Sequence, residues 1–255
     1  MSKKILNRFL DKYNSNQKSL IVLIDPDEYN NERNLNKLIS LANSCAIDFF
    51  FVGGSLLRNP DISKIVESIK EQTNIPIVLF PGNGLYLSEQ ADAVLFLSLI
   101  SGRNPELLIG QHVIVAKSLK ESGIEVIPTG YILVDGGKPT SVSYLSFTLP
   151  IPADKPEIAS STALAGELLG MKMIYLEAGS GAINPVSESV INAVQNAIDV
   201  PLLVGGGISS AEKALKALHA GADAIVVGNK IEENSEFLKE VSDILVEFNR
   251  SLDIH

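Results

Sequence analysis

The run at residues 200–230 reads VPLLVGGGISSAEKALKALHAGADAIVVGNK and contains two short apolar segments, each followed by a glycine turn. The segments at 202–204 and 224–227 have the continuous apolar character of strands buried in a parallel sheet. Between them, Ser209 stands three residues before Glu212, a pattern typical of a helix N-terminus. A (β/α)₈ barrel often binds phosphate through the loops after strands 7 and 8. Two ordinary turns of another parallel α/β protein remain the alternative, although three successive glycines exceed what one turn needs.

The same alternation runs through all 255 residues, about the typical length of one (β/α)₈ barrel. Eight apolar runs alternate with segments of helical spacing, which predicts an α/β barrel and a single domain over residues 1–255. About a dozen residues separate the third run, 76–80, from the fourth, 93–97, so the third helix is expected to be missing or irregular. The segment 135–155 is expected to be a lid or binding loop. An open doubly wound sheet is the rival architecture.

Composition excludes several classes of function. The net charge of −9 argues against a broad nucleic-acid surface. No apolar run is long enough for a transmembrane helix, and the N-terminus lacks the pattern of a secretory signal. One cysteine, Cys45, leaves no internal disulfide and favours a cytoplasmic location. A chain this acidic would have to bind a phosphorylated ligand through local backbone dipoles or a metal ion.

The chemistry of a barrel lies at the C-terminal ends of its strands, where two groups of residues stand out. Glu177 follows the sixth apolar run and precedes Gly-Ser-Gly, which predicts a general base beside backbone N–H groups. A rim ion pair of Glu177 with a lysine or arginine is the alternative. Asp25 and Ser55, at the ends of the first two runs, offer the oxygen ligands that Mg²⁺ prefers. Asp25 as a mere turn residue also stays open.

Five motifs together resemble one enzyme family. They are LIDPD at 23–27, VGGS at 52–55, YLEAGSGA at 175–182, VGGGI at 204–208 and VGN at 227–229. The chain is similar over nearly its whole length to geranylgeranylglyceryl phosphate synthase, the archaeal-type ether-lipid prenyltransferase related to bacterial heptaprenylglyceryl phosphate synthases. The YLEAGSG motif is specific to this family, whereas the glycine turns alone are not.

The resemblance implies Mg²⁺-dependent transfer of a geranylgeranyl or similar prenyl group from its diphosphate to the 3-hydroxyl of sn-glycerol 1-phosphate. It also implies a modified barrel without a regular third helix, a homo-oligomer (a dimer or a hexamer of dimers) and at most peripheral contact with a membrane. Asp25 and Ser55 would hold the metal, and Glu177 would be the base. The glycerol phosphate would lie along Tyr175, Leu176, Glu177, Ala178, Gly179, Ser180 and Gly181, with Gly206, Gly207, Gly228 and Asn229 around its phosphate. Candidates for an apolar trough for the tail are Phe80, Leu97, Ile100, Leu107, Leu108 and Tyr131.

Two other functions remain open on the sequence alone. One is an isomerase or lyase acting on a phosphorylated sugar, which such barrels often are. It is the weaker reading because no lysine ends any of the first seven strands. The other is a non-catalytic protein that binds phosphorylated lipids. The presence of Asp25 and Glu177 argues against this function.

Overall fold

The structure is a computed structural model and describes residues 4–29, 32–54, 61–82, 87–228, 230–231, 234 and 236–252. Its strands are β1 (Ser19–Ile24), β2 (Phe49–Val52), β3 (Ile77–Leu79), β4 (Ala93–Leu99), β5 (Glu125–Leu133), β6 (Met173–Glu177), β7 (Leu202–Gly205) and β8 (Ala224–Val227). Its helices are α1 (Lys4–Asn14), α2 (Glu32–Ala42), α3 (Ile62–Lys70), α4 (Gln111–Ser122), α5 (Ser141–Ser146), α6 (Pro156–Leu168), α7 (Glu188–Gln195), α8 (Ala211–His219) and α9 (Glu236–Leu252). A π-helical turn, Glu106–Gly110, leads into α4.

The eight strands are all parallel and close into a barrel in chain order, which confirms the predicted fold class. The first and last strands close the ring, with Ser19 opposite Ala224 and Val22 opposite Val227. Parallel pairing places the C-terminal ends of all eight strands on one face of the barrel, where the loops after the strands meet.

The described part of the connection between β3 and β4 contains no regular helix, as the length of the connection predicted. Within its described residues, 80–82 and 87–92, the chain forms only turns and bends. The two strands nevertheless pair directly, with Val78 opposite Ala93. The described part of this connection therefore supplies no helix that covers the outer face of β4.

Alternation along the strands divides the core into two layers. In β2, Phe49 and Phe51 belong to the cluster inside the barrel, whereas Phe50 and Val52 belong to the layer between sheet and helices. Successive side chains of a strand point to opposite faces, so each strand supplies both layers. The same alternation decides which side chains at the strand ends face into the barrel mouth.

Helix α1 closes the N-terminal end of the barrel. Its Phe9 ring stacks on Phe49 with centroids 4.1 Å apart, and the Glu125 carboxylate accepts hydrogen bonds from the N–H groups of Ile5 and Leu6 at 2.9 and 2.8 Å. These N–H groups in the first turn of α1 have no carbonyl partner within the helix. The opposite, C-terminal end of the barrel stays available for a site.

The long connection after β5 is more ordered than a plain loop. It contains α5 and a bridge that pairs Val134 with Ile151. The carbonyl of Gly136 accepts hydrogen bonds from Ile183 and Asn184 N–H, each at 3.0 Å. The connection therefore packs firmly on the loop that follows β6.

Candidate active site

Strand β6 ends with a carboxylate that points into the barrel mouth. Tyr175 and Glu177 lie on the inner face of the strand, and Leu176 between them lies in the outer layer. Glu177 is only 6% exposed, and its Oε1 accepts a hydrogen bond from Gly179 N–H at 2.6 Å. The Tyr175 hydroxyl also hydrogen-bonds to this carboxylate. Among the described residues no lysine or arginine pairs with Glu177, so the rim ion pair considered from the sequence is not formed there.

Burial sets the protonation behaviour of this group. Desolvation raises the pKa of Glu177 to about 7, against the opposing effect of the hydrogen bonds from Gly179 and Tyr175. The same burial, together with the charge of Glu177, raises the pKa of Tyr131 and of Tyr175 well above the ordinary value. Both tyrosine hydroxyls therefore stay protonated near neutral pH, while Glu177 can exchange a proton.

Only glycine fits at each position of the 205–207 turn, because residues of β6 or of the loop after it lie too close for a Cβ atom. A Cβ on Gly205 would collide with the Tyr175 hydroxyl, and one on Gly206 with Glu177 Oε1. A Cβ on Gly207 would lie 2.5 Å from the Asn184 carbonyl oxygen, and the φ angles of Gly206 and Gly207 are +78° and +68°. The triple glycine thus lets the β7 turn pack directly on the loop that carries Glu177, a requirement the sequence pattern did not reveal.

A polar cavity of about 240 Å³ opens between these loops at the C-terminal ends of the strands. Eight of the thirteen residues proposed for the metal, the base and the glycerol phosphate line it: Asp25, Tyr175, Glu177, Ser180, Gly181, Gly206, Gly207 and Gly228. Leu176 and Ala178 are buried in the outer layer, so their side chains do not reach the cavity. Gly179 does not line it either, and its N–H group is already bound to Glu177. Ser55 and Asn229 lie outside the described residues.

Backbone N–H groups are among the donors of the residues that line the cavity. The N–H groups of Gly181, Gly206 and Gly207 donate no hydrogen bond to any described residue. Unengaged N–H groups in a glycine turn form a concave site that favours anions. Two glycine turns with such donors therefore face the same cavity.

Asp25 is a second acidic residue that lines this cavity, and its surroundings suit a metal ion held mainly by substrate. Its Oδ1 accepts a hydrogen bond from Asp27 N–H at 3.0 Å. The described residues contain no group of three histidine, cysteine or acidic side chains that could hold an ion by themselves. Mg²⁺ is commonly bound by one or two carboxylates, with substrate phosphates and waters as the other ligands. One carboxylate in a cavity of this size fits that arrangement.

An apolar trough of about 150 Å³ opens beside the polar cavity. It runs along β4 and α4, and Val94, Phe96, Val115 and Leu119 are among the residues that line it. Of the six trough residues proposed from the sequence, Phe80, Leu97, Leu107 and Tyr131 line it, whereas Ile100 packs between Gly130 and Gly166. Leu108 is not part of the lining.

The two cavities meet at Phe80, Tyr131 and Val142, which line both. The Phe80 ring lies 5.4 Å from the Tyr175 ring and 6.0 Å from the Tyr131 ring, centroid to centroid. Three aromatic rings therefore stand where the apolar trough opens into the polar cavity, close to Glu177.

Several residues of the site were not identified from the sequence. Val142 lies in α5, inside the segment expected to be a lid, and Lys230 and Ile208 line the polar cavity. The cap of α8 was predicted one residue too early: Ser210 accepts from Lys213 N–H at 3.2 Å, while Ser209 accepts from the side chain of Lys213 at 3.1 Å. Adjacent serines give the same pattern, so only the geometry separates their roles.

The fold and the site define a (β/α)₈-barrel protein with a buried carboxylate between two glycine turns and an apolar trough opening at their side. Many barrels of this architecture act on phosphorylated compounds. The chain belongs to the PcrB family, whose sequence profile matches residues 13–245.

Similar proteins agree with this assignment. A protein from Chitinophaga pinensis named geranylgeranylglyceryl phosphate synthase is 51% identical over 243 residues, covering 95% of this chain and 96% of that protein. One of the same name from Spirosoma linguale is 50% identical over 238 residues, covering 93% and 95%. The crystal structure of (S)-3-O-geranylgeranylglyceryl phosphate synthase from Thermoplasma acidophilum in complex with its substrate sn-glycerol-1-phosphate superposes with a TM-score of 0.89 at 33% identity, covering 96% and 100%.

Proposed function

We propose that this chain transfers a geranylgeranyl or similar prenyl group from its diphosphate to the 3-hydroxyl of sn-glycerol 1-phosphate, forming the first ether bond of an ether lipid. The observation that carries the proposal is the position of Glu177. It lies in a cavity lined by two glycine turns, beside the junction with an apolar trough. An isomerase or lyase acting on a small phosphosugar would have no use for that trough.

The glycerol phosphate binds in the polar cavity through backbone groups. Its phosphate accepts hydrogen bonds from the N–H groups of Gly181, Gly206 and Gly207, which have no acceptor among the described residues. Gly228 lines the same cavity, and Asn229, the next residue in the chain, is proposed to bind the phosphate as well. Bare main chain can approach a phosphate closely, so a protein of net charge −9 needs no broad positive field to bind it.

Glu177 is the general base of the reaction. Because the pKa of Glu177 is about 7, a large fraction of this side chain is ionised at neutral pH. The same pKa makes the carboxylate basic enough to accept the proton of an attacking alcohol. As the glycerol oxygen forms a bond to the first carbon of the prenyl chain, its proton passes to Glu177. The carbon–oxygen bond to the diphosphate breaks, and the electron pair leaves with the diphosphate.

The prenyl tail lies in the trough, and its reacting end lies at the ring cluster of Phe80, Tyr131 and Tyr175. The faces of aromatic rings attract positive charge, so these rings suit the charge that develops on an allylic carbon as its bond breaks. Asp25, with Ser55 outside the described residues, is proposed to hold Mg²⁺. When bound, the ion supplies charge neutralisation to the departing diphosphate.

A homo-oligomer is part of the same proposal. In α4, Val113 and Ile114 are 70% and 62% exposed, and at the end of α6, Leu168 and Leu169 are 79% and 78% exposed. Large exposed apolar surfaces commonly mark contacts between chains. Sedimentation should give a mass of two chains or a multiple of two, and a monomer at micromolar concentration would contradict this part of the proposal.

No helix in the described part of the chain combines the length and apolar character needed to cross a bilayer.

The activity is tested with radiolabelled sn-glycerol 1-phosphate, geranylgeranyl diphosphate and either Mg²⁺ or EDTA. We expect label to pass into an organic extract only with Mg²⁺. In Glu177→Gln, kcat should fall by about 10²–10⁴-fold while glycerol phosphate still binds.

Glu121→Gln is the matched control because Glu121 is an exposed residue of α4 with only a 3.8 Å contact to Lys117. It should react at the wild-type rate. A wild-type rate in Glu177→Gln would exclude this residue as the base, and extractable label formed equally well in EDTA would exclude the role of Mg²⁺.

A further inference from the structure

Lys213 connects the two glycine-turn loops at their outer side. From the first turns of α8, its ammonium group donates to the Ile183 carbonyl at 3.2 Å, the Gly207 carbonyl at 3.3 Å and Ser209 Oγ at 3.1 Å. Ile183 belongs to the loop after β6, and Gly207 and Ser209 belong to the loop after β7. An ammonium group has three donors, and here all three are used by these loops.

Direct hydrogen bonding between the two loops is sparse in the described chain. One backbone hydrogen bond joins them, from Ala178 N–H to the Gly205 carbonyl at 3.1 Å, and it lies at the base of the loops. Farther out, where Gly207 approaches Asn184, the contact is van der Waals packing of backbone on backbone. Farther from the barrel, Lys213 is therefore the polar connection between the loops in the described chain. It lies beside Gly206 and Gly207, which line the cavity and whose N–H groups have no acceptor among the described residues.

The charge of Lys213 is also not neutralised by a neighbouring carboxylate in the described chain, since its partners are two carbonyls and a hydroxyl. Lys216, one turn later in α8, differs in this respect because its ammonium group pairs with Glu212 at 2.7 Å on the surface. The two lysines of α8 thus differ in their partners: Lys216 forms a surface ion pair, whereas Lys213 binds the loops of the site.

We propose that Lys213 is a positioning residue for phosphomonoester binding: it holds the two glycine-turn loops at the spacing that lets both donate to one phosphate, and it places a positive charge behind them. This inference rests on the proposed function, because it assigns the phosphate of glycerol phosphate to that pair of loops. Lys213 itself need not touch the substrate.

The test compares Lys213→Met, Lys213→Arg and Lys216→Met. In Lys213→Met, the KM for sn-glycerol 1-phosphate should rise about tenfold, because three charge-assisted hydrogen bonds are lost and the loops can separate. The KM for the prenyl diphosphate and the kcat at saturation should change by less than about twofold. This pattern would show that the substitution weakens binding of glycerol phosphate and leaves the chemical step unchanged. Lys213→Arg keeps the charge and should recover most of the affinity, and Lys216→Met should behave as wild type.

Calorimetric titration with sn-glycerol 1-phosphate alone, without prenyl diphosphate or Mg²⁺, separates this inference from the proposed function. Wild-type binding with a Kd about tenfold weaker in Lys213→Met supports the inference. Equal Kd values in the two proteins would overturn it and leave the proposed function standing, whereas absence of binding to the wild type would overturn the proposed function itself. Thermal unfolding completes the test: if Lys213→Met weakens both substrates and kcat together and lowers the melting temperature, the residue is merely structural.

Discussion

Glu177 shows how one side chain acquires a role from its position in the barrel. Any Glu on a surface would be ionised at neutral pH, but this one is buried beside Tyr175 and under the glycine turn. Desolvation therefore raises its pKa to about 7. A base is most effective when its pKa lies near the working pH, so burial makes Glu177 a better general base at neutral pH.

The rate of the reaction should depend on pH through the ionisation of Glu177. The ionised form of Glu177 is the active one, so kcat/KM for glycerol phosphate should rise with pH through a midpoint near 7 and level off above about pH 8. Initial rates at saturating prenyl diphosphate and Mg²⁺ measure the profile. The residual activity of Glu177→Gln should lack this step, and a wild-type profile that is already level above about pH 5 would contradict the assignment.

The same pKa predicts a change in stability. Between the ordinary pKa of 4.5 and the folded value of about 7, the folded protein retains a proton that the unfolded chain has released. Stability therefore falls as the pH rises across this window. Glu177→Gln carries no such group, so its free energy of unfolding should exceed that of wild type by roughly 2–3 kcal/mol at about pH 8 and match it near pH 4.5. Denaturant unfolding at the two pH values measures this, and equal stability at the higher pH would contradict it.

Among the elements, the turn after β7 is the clearest case of backbone shaped by a neighbouring loop. Gly207→Ala would place a Cβ 2.5 Å from the Asn184 carbonyl oxygen at a φ of +68°. We expect the turn to move and the KM for glycerol phosphate to rise by about tenfold or more. Gly123→Ala is the matched control, since Gly123 has a φ of +73° with nothing within 4 Å of a Cβ. It should lower stability by about 1 kcal/mol and leave KM unchanged; a similar KM in both variants would refute the role of the turn.

A repeated aspartate joins pairs of strands at the opposite end of the barrel. Asp48, Asp92 and Asp223 each precede an even-numbered strand and accept a hydrogen bond from the backbone of the strand before it, at 3.0, 2.8 and 2.9 Å. Each also pairs with a lysine, at 2.6, 2.9 and 2.9 Å. The device lies away from the cavity, so it serves the stability of the barrel.

The Asp223 pair with Lys18 is the most buried of the three, with side chains 12% and 9% exposed. Asp223→Ala leaves the Lys18 charge and the Leu202 N–H group without their partner, so the free energy of unfolding should fall by about 3 kcal/mol. Urea unfolding measures this. Glu121→Ala, at an exposed pair, should have no measurable effect. A loss below about 1 kcal/mol would mean that the pair only offsets its own desolvation.

At the scale of the whole molecule, the polar cavity and the apolar trough are one site because they meet at Phe80, Tyr131 and Val142. The two kinds of binding surface come from different parts of the barrel: glycine turns after β6 and β7 on one side, and β4 with α4 on the other. A substrate with an apolar tail and one with only polar groups can therefore bind side by side.

The trough should select the length of the tail. Leu107→Trp would fill part of it, so kcat/KM for geranylgeranyl diphosphate should fall about tenfold relative to the shorter farnesyl diphosphate, with the KM for glycerol phosphate unchanged. Leu108→Trp is the control, since Leu108 does not line the trough. Competition of the two donors in one reaction gives the ratio directly, and an unchanged ratio in Leu107→Trp would show that the tail lies elsewhere.

Local sequence determined the eight strands, the position of Glu177 at the end of β6 and the lack of a regular third helix in the described chain. These follow from apolar periodicity and from connection length, which act over a few neighbouring residues. The motifs carried the family resemblance, and the PcrB match confirms it.

Only the tertiary structure decided which of the motif residues share a cavity. Leu176 turns away while Tyr175 and Glu177 turn inward, the Gly179 N–H group is taken by Glu177, and Lys213 holds two loops that lie more than twenty residues apart in the chain. The raised pKa of Glu177 likewise arises from burial under loops distant in sequence. Such properties depend on distances between segments that meet only when the barrel closes, so no local pattern could contain them.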